Sequence, residues 1–299
     1  MVSERVRRPG PSVRSRVVEH FAEREVPRED RLITEEPLEI RVRAGALPPR
    51  RAWVTMRTPG HDFELAAGWL VHEGVADPGA LTQVAYCTDT DLAPEQEFNV
   101  VTVTLTDAAD LPHRHVSASA GSSACGVCGK DSVEDALTAR TATPWSGSRP
   151  DADVVRRLPD ALRERQTLFE RTGGVHAAGL ADADGTLLVV REDVGRHNAV
   201  DSIAGMMWLE GMQGHDKVFY TTGRLTSEMV IKGAQMGIPF LLSRSGTTQM
   251  GHMVAGKVGM SLLARCSGKH FLLLAGQERL VFEPALLELA GPALPGTPA

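Results

Sequence analysis

Two of the four cysteines, Cys125 and Cys128, stand three positions apart in Ser122-Ser-Ala-Cys-Gly-Val-Cys-Gly-Lys130. Residues 117–121, ahead of them, are Ser, Ala and Gly and cannot pack a core. Behind them, Asp131 or Ser132 can cap a helix whose first turn holds Glu134 and Asp135. The pattern predicts a mobile loop that presents two thiols just before a helix N-terminus. The positive helix end and Lys130 both favour thiolate over thiol, which is the setting of a reactive cysteine.

Three chemistries use Cys-x-x-Cys. Thiol–disulfide exchange usually sits beside a βαβ thioredoxin pattern, and here no strand leads into the motif. Half of a zinc site needs two further ligands. Cys87 and Cys266 are isolated in sequence, and His113 and His115 stand at an unusual spacing. A sulfur relay needs one thiolate to carry a persulfide and a second to assist or resolve. A structural pair in a turn is the bland reading. Spacing alone leaves all four open.

A second set of polar residues lies further on. Residues 218–220 read as a strand running into Thr221-Thr-Gly-Arg224-Leu-Thr-Ser227-Glu228. Residues 240–242 read as another, running into Ser243-Arg244-Ser245-Gly-Thr-Thr248. Each loop joins Gly, hydroxyls and one Arg at a helix start, a combination suited to phosphate or pyrophosphate. Ordinary capping explains one such loop equally well. Two on successive strands favour an anion site, because both face the same rim of a parallel sheet. Glu192-Asp193-Val-Gly-Arg196-His197-Asn198 is a third polar loop. Arg196 and His197 can contact a ligand there, or Asp193 can pair with Arg196 while His197 serves as a core or cap residue. Arg265-Cys266-Ser267-Gly268-Lys269 is a fourth, read by default as a plain hairpin turn.

The elements that position these groups follow from periodicity. Residues 31–42 and 53–56 read as strands, 62–72 as a helix ending at Gly74, and 81–87 and 98–105 as strands. Residues 144–150 read as a linker, and 153–172 as a helix interrupted near Pro159. From Val175 the pattern changes. A hairpin is expected over 175–191, closed at Asp184-Gly185. Helices are expected over 197–212, 226–236 and 250–258, between strands at 217–221, 239–243, 261–265 and 271–274. This alternation predicts an α/β fold with a mainly parallel sheet covered by helices, preceded by a smaller α+β domain.

The expected organisation is a disordered basic tail over 1–30, an N-terminal α+β domain over 31–115, and the cysteine loop with its helix and linker over 116–150. A C-terminal α/β domain over 151–285 and a Pro-rich tail over 286–299 follow. A 299-residue chain with 42% hydrophobic residues can bury an ample core. Four cysteines are no disulfide framework and fit a reducing cytoplasm. There is no membrane-length apolar run and no secretory signal. A net charge of −6 argues against a general nucleic-acid surface but leaves room for a local basic pocket.

At these residues the chain resembles the FdhD family, the accessory sulfurtransferases of formate dehydrogenase. The carriers are Cys125-Gly-Val-Cys128-Gly, Arg171-Thr-Gly-Gly-Val-His176-Ala-Ala-Gly, Glu192-Asp-Val-Gly-Arg-His-Asn-Ala-Val-Asp201, Gly223-Arg-Leu-Thr-Ser-Glu-Met-Val-Ile-Lys232 and Gly237-Ile-Pro-Phe-Leu-Leu-Ser-Arg-Ser245. Several long motifs in one order are far more specific than Cys-x-x-Cys. The resemblance implies that sulfur arrives from a cysteine desulfurase as a persulfide. It then passes to the molybdenum of bis(molybdopterin guanine dinucleotide), bound as a substrate, for insertion into formate dehydrogenase. It places the persulfide on Cys125 with Cys128 as partner, and a cofactor-binding segment at Leu263, Ala264, Arg265, Cys266, Ser267 and Gly268. Arg224, Ser227, Arg244 and Ser245 are the anion contacts expected from the loops. The second domain is expected to be similar to the cytidine deaminase-like three-layer fold. Two nucleotide arms suit a symmetric homodimer.

Two rivals stand beside this. A zinc nucleotide deaminase needs His-x-Glu and Pro-Cys-x-x-Cys, but His176-Ala-Ala lacks the Glu and Cys125 lacks the Pro. A pure cofactor chaperone would bind and deliver without sulfur chemistry.

Overall fold

The computed structural model describes residues 8–88, 93, 96–106 and 149–282. Cys125, Cys128, His113, His115 and the expected helix after Lys130 lie outside the described residues.

The chain opens with an antiparallel hairpin, β1 (Ser12–His20) and β2 (Glu25–Ile33). This corrects the expectation of a disordered tail through residue 30. The charges that made the segment read as a tail pair across the ribbon. Arg14 lies 3.2 Å from Glu29, Arg28 3.4 Å from Glu19, and His20 3.1 Å from Glu25. Opposite charges on facing strands stabilise a sheet.

A four-stranded sheet follows, in the order β4 (Arg50–Arg57), β3 (Glu36–Ala44), β6 (Val100–Leu105), β5 (Leu81–Tyr86). β3 and β6 are parallel, and the other pairs are antiparallel. Alternation puts Leu38, Ile40 and Val42 on one face, where α1 (Asp62–His72) covers them with Leu65, Trp69 and Leu70. α1 ends where the turn reaches Gly74, at φ +69°. Beneath it Arg57 is fully buried and pairs with Asp62 at 2.8 Å, and Tyr86 donates to the same carboxylate at 2.6 Å.

The second sheet has six strands, in the order β12 (Leu272–Ala275), β11 (Ser261–Ala264), β10 (Phe240–Ser243), β9 (Lys217–Thr221), β7 (His176–Asp182), β8 (Leu187–Asp193). Only β9, β10 and β11 are mutually parallel, while β7, β8 and β12 pair antiparallel. The sheet is therefore mixed rather than mainly parallel. The difference comes from the tight turns at both margins, which return the chain antiparallel. Helices cover both faces. α4 (Arg196–Leu209), α5 (Ser227–Gln235) and α6 (Gln249–Val258) bury Ile203, Val230 and Val254 on one side. α2 (Ala152–Arg165) buries Val155, Leu158 and Leu162 on the other.

α2 runs through Pro159 unbroken, contrary to the expected interruption there. Pro159 is itself buried, and the apolar stripe on both sides of it holds the helix to the sheet. The break comes at Gln166, before the short α3 (Thr167–Thr172). Glu192 at the end of β8 fixes that restart by accepting the Leu168 and Phe169 amides, each at 2.8 Å.

The two sheets are joined by helix on helix. Gly68 of α1 meets Gly205 of α4 so closely that a Cβ on Gly68 would lie 1.8 Å from the Asp201 carbonyl oxygen. No side chain fits there, and this permits the close crossing. Among the described residues no helix is long and apolar enough to cross a membrane.

Candidate functional site

Parallel β9, β10 and β11 end at one rim, and the loops that leave them are laced together. The Arg244 amide donates to the Thr221 carbonyl at 3.2 Å, the Arg265 amide to Ser245 at 2.9 Å, and the Cys266 amide to Ser243 at 2.9 Å. The Ser243 hydroxyl is fully buried. It donates to the Gly223 carbonyl at 2.5 Å and accepts the Ser245 amide at 2.8 Å. The loops therefore form a firm ledge rather than independent coils. α5 and α6 leave this ledge capped by Thr226 and Thr248, whose hydroxyls accept from Met229 and Gly251. Capping is thus done by these threonines, and Ser227 and Ser245 stay half-buried at the rim.

Arg224, Arg244 and Arg265 are exposed on the ledge, one from each strand end. Their guanidinium groups have no acidic partner and no hydrogen bond among the described residues. Arg265 sits in the left-handed region at φ +52°, the one non-glycine residue there among those described. Such a conformation costs a long side chain about 1–3 kcal/mol and is often met at ligand sites. Beyond it Ser267 closes a tight turn with His270, so the β11–β12 connection is the plain hairpin expected, with Arg265 at its base.

The expected cofactor-binding segment divides in two. Leu263, Ala264 and Cys266 are sealed in the core, so only their backbone reaches the ledge. Burial pushes the Cys266 thiol up to about 12, which leaves it an inert thiol. Arg265, Ser267 and Gly268 face outward. Gly268 lies against α2, where an added Cβ would stand 2.7 Å from an Asp160 carboxylate oxygen.

The far side of the rim comes from β7, β8 and α4. β7 runs antiparallel to β9 with Ala178 opposite Thr221, so His176 projects past the end of β9 beside Thr222. Burial, then the charge of Arg196 and the neighbouring His197, lower the His176 pKa and favour its neutral ring. His197 lies 3.2 Å from Glu228 of α5. Burial raises the Glu228 pKa, but attraction to His197 outweighs it and holds the carboxyl below its ordinary value.

Asp193 does not pair with Arg196. It accepts the Gly195 amide at 2.7 Å, the Asn198 side-chain amide at 2.9 Å and the Thr58 amide at 3.0 Å. The last bond comes from the N-terminal unit, as does Met56, whose carbonyl accepts from Asn198 at 2.7 Å. Sequence spacing could not show this, because Thr58 lies 135 positions away. His176 was also invisible as a rim residue, since only the strand directions place it there. Among the described residues no three His, Cys, Asp or Glu side chains gather in a metal-holding arrangement.

Comparison with known proteins agrees in fold and sequence. The FdhD/NarQ family model matches residues 33–281. A protein of Nocardia farcinica named sulfur carrier protein FdhD is 38% identical over 274 residues, covering 90% of this chain and 95% of that protein. One of the same name from Corynebacterium efficiens is 40% identical, covering 84% of this chain and 91% of its own length. A crystal structure of a formate dehydrogenase accessory protein from Desulfotalea psychrophila superposes with a TM-score of 0.70 at 24% identity, over 90% of this chain and 99% of that one. By the length of the family match and by these identities, the chain belongs to the FdhD/NarQ family.

Proposed function

We propose that this protein carries sulfur for a formate dehydrogenase. The observation that carries the reading is the ledge: three guanidiniums without acidic partners among the described residues, at the ends of three successive parallel strands, in a family whose relatives are named sulfur carriers. The Cys125 thiolate attacks the outer sulfur of a persulfide on a cysteine desulfurase. The donor S–S bond breaks, the donor cysteine leaves as thiolate, and Cys125 holds the new persulfide. The Cys128 thiolate then resolves it by attacking the inner sulfur of that persulfide. The S–S bond to the terminal sulfur breaks, and a Cys125–Cys128 disulfide forms with the two electrons going to the departing sulfur. That sulfur leaves as sulfide to the molybdenum of bis(molybdopterin guanine dinucleotide), the substrate. Arg224, Arg244 and Arg265, with Ser227, Ser245, Ser267 and the Gly268 backbone, hold the pyrophosphate arms. Guanidinium forks match phosphate oxygens in geometry as well as charge.

Mass spectrometry after incubation with a desulfurase and cysteine tests the first half. A gain of one sulfur atom on the Cys125 peptide is expected, and Cys125→Ala abolishes both that gain and formate dehydrogenase activity in cells. A pure chaperone would show no mass gain, and an active dehydrogenase with Cys125→Ala would overturn the assignment. For the second half, Arg224→Ala or Arg244→Ala weakens binding of guanosine diphosphate about tenfold or more, the worth of one charge-assisted hydrogen bond. Unchanged affinity in both variants would remove the ledge from the mechanism.

A further inference from the structure

Arg196 differs from the three guanidiniums of the ledge. Its Nε is buried and has no hydrogen-bond partner among the described residues. No ion pair reaches its side chain among the described residues. The carboxylates nearby in sequence and space are engaged elsewhere: Glu192 on the α3 amides, Asp193 on Thr58, Gly195 and Asn198, and Glu228 opposite His197. Its stem is pinned against the β9 loop, where a Cβ on Gly223 would lie 3.1 Å from Arg196 Cβ and 3.2 Å from its Cδ. Gly223 therefore keeps the Arg196 side chain against the turn that carries Arg224. His176 stands beside Thr222, the residue before Gly223, with its ring 3.4 Å from the Thr222 hydroxyl, and the charge of Arg196 lowers its pKa. A guanidinium nitrogen withdrawn from water without an acceptor is unfavourable, and an incoming anion removes the penalty.

We propose that Arg196 and His176 form an inner phosphate subsite of the rim, seating one phosphate group of a ligand whose remainder lies along Arg224, Arg244 and Arg265. The subsite rests on the reading of the ledge as the seat of a phosphate-bearing substrate. Arg196 supplies a fork of donors held rigid by its neighbours, and His176 adds one ring N–H. The exposed arginines then grip the ligand while the inner pair sets how deep it sits.

Isothermal titration of the full chain with inorganic pyrophosphate and with guanosine diphosphate tests this, together with thermal melting. Arg196→Gln should weaken both ligands at least tenfold, and Arg196→Lys, which keeps the charge but not the fork, should fall between. His176→Gln should cost less than Arg196→Gln. Without ligand, Arg196→Gln should melt at or above the wild-type temperature, because the guanidinium has no acceptor among the described residues to lose. A lower ligand-free melting temperature would mark Arg196 as structural and overturn the subsite, as would unchanged affinity. If Arg224→Ala weakens binding and Arg196→Gln does not, the ledge stands and the inner subsite falls. Failure of the sulfur-carrier reading shows separately, as a missing mass gain on Cys125 with pyrophosphate binding intact.

Discussion

Asp193 shows how much one side chain settles. Burial pushes its carboxyl up to about 7 from an ordinary 3.8, against the pull of the Gly195 and Thr58 amides, Asn198 and the charge of Arg57. The folded protein therefore binds a proton that the unfolded chain has lost between those two values. Stability from this group is fully present below the unfolded value and is lost as pH rises toward about 7. Urea denaturation across that window should show this decline, and Asp193→Asn should flatten it. The same variant sets an amide N–H against donors and should cost about 1–3 kcal/mol at pH 7. A variant with wild-type stability and an unchanged pH slope would remove Asp193 as the clasp between Thr58 and the Gly195–Arg196 turn.

At the scale of elements, the crossing of α1 and α4 governs the join. A Cβ on Gly205 would lie 1.8 Å from the Glu64 carbonyl oxygen, so main chain meets main chain. Beside the crossing, His72 on α1 and Lys232 on α5 both reach Asp201 on α4, at 2.6 Å and 2.7 Å, and all three are buried. Burial, only partly offset by Asp201, lowers the His72 pKa, so its ring is neutral. Gly205→Ala can be accommodated only by moving a helix. Overpacking costs typically 1–3 kcal/mol, and this site belongs at or beyond the upper end. Chemical denaturation measures it, and a loss below about 1 kcal/mol would show that the helices can part freely.

For the molecule as a whole, the two sheets are held by contacts of several kinds. Arg191 grips Glu64 at 2.5 and 2.7 Å, the Val194 amide donates to the Thr58 hydroxyl at 3.0 Å, and Gln235 donates to the His72 carbonyl at 3.1 Å. Units tied through buried polar bonds and a close helix crossing should unfold together. Amide exchange in α1 and α4 should report one common opening energy, and tryptophan fluorescence and far-UV circular dichroism should give coincident transitions. Two separated transitions would show that the N-terminal unit is an independent domain. Such coupling also suits the rim, because the Asp193 clasp turns the N-terminal unit into a support for Arg196 and His197.

Much of this was legible along the chain. The alternation Leu38, Ile40, Val42 gave β3, Asp184-Gly185 gave the β7–β8 turn with Gly185 at φ +90°, and the Gly/Arg loops after β9 and β10 marked the rim. Each of these depends on residues within a few positions of one another, where period and turn chemistry act directly. The cysteine pair and the family were fixed by the same kind of local pattern. The three-dimensional packing alone decided the charged β1–β2 hairpin, the direction of the marginal strands, the Asp193–Thr58 bond, and the place of His176 beside Arg196. These depend on which distant groups find each other once apolar surface is buried, and no short-range period encodes that choice.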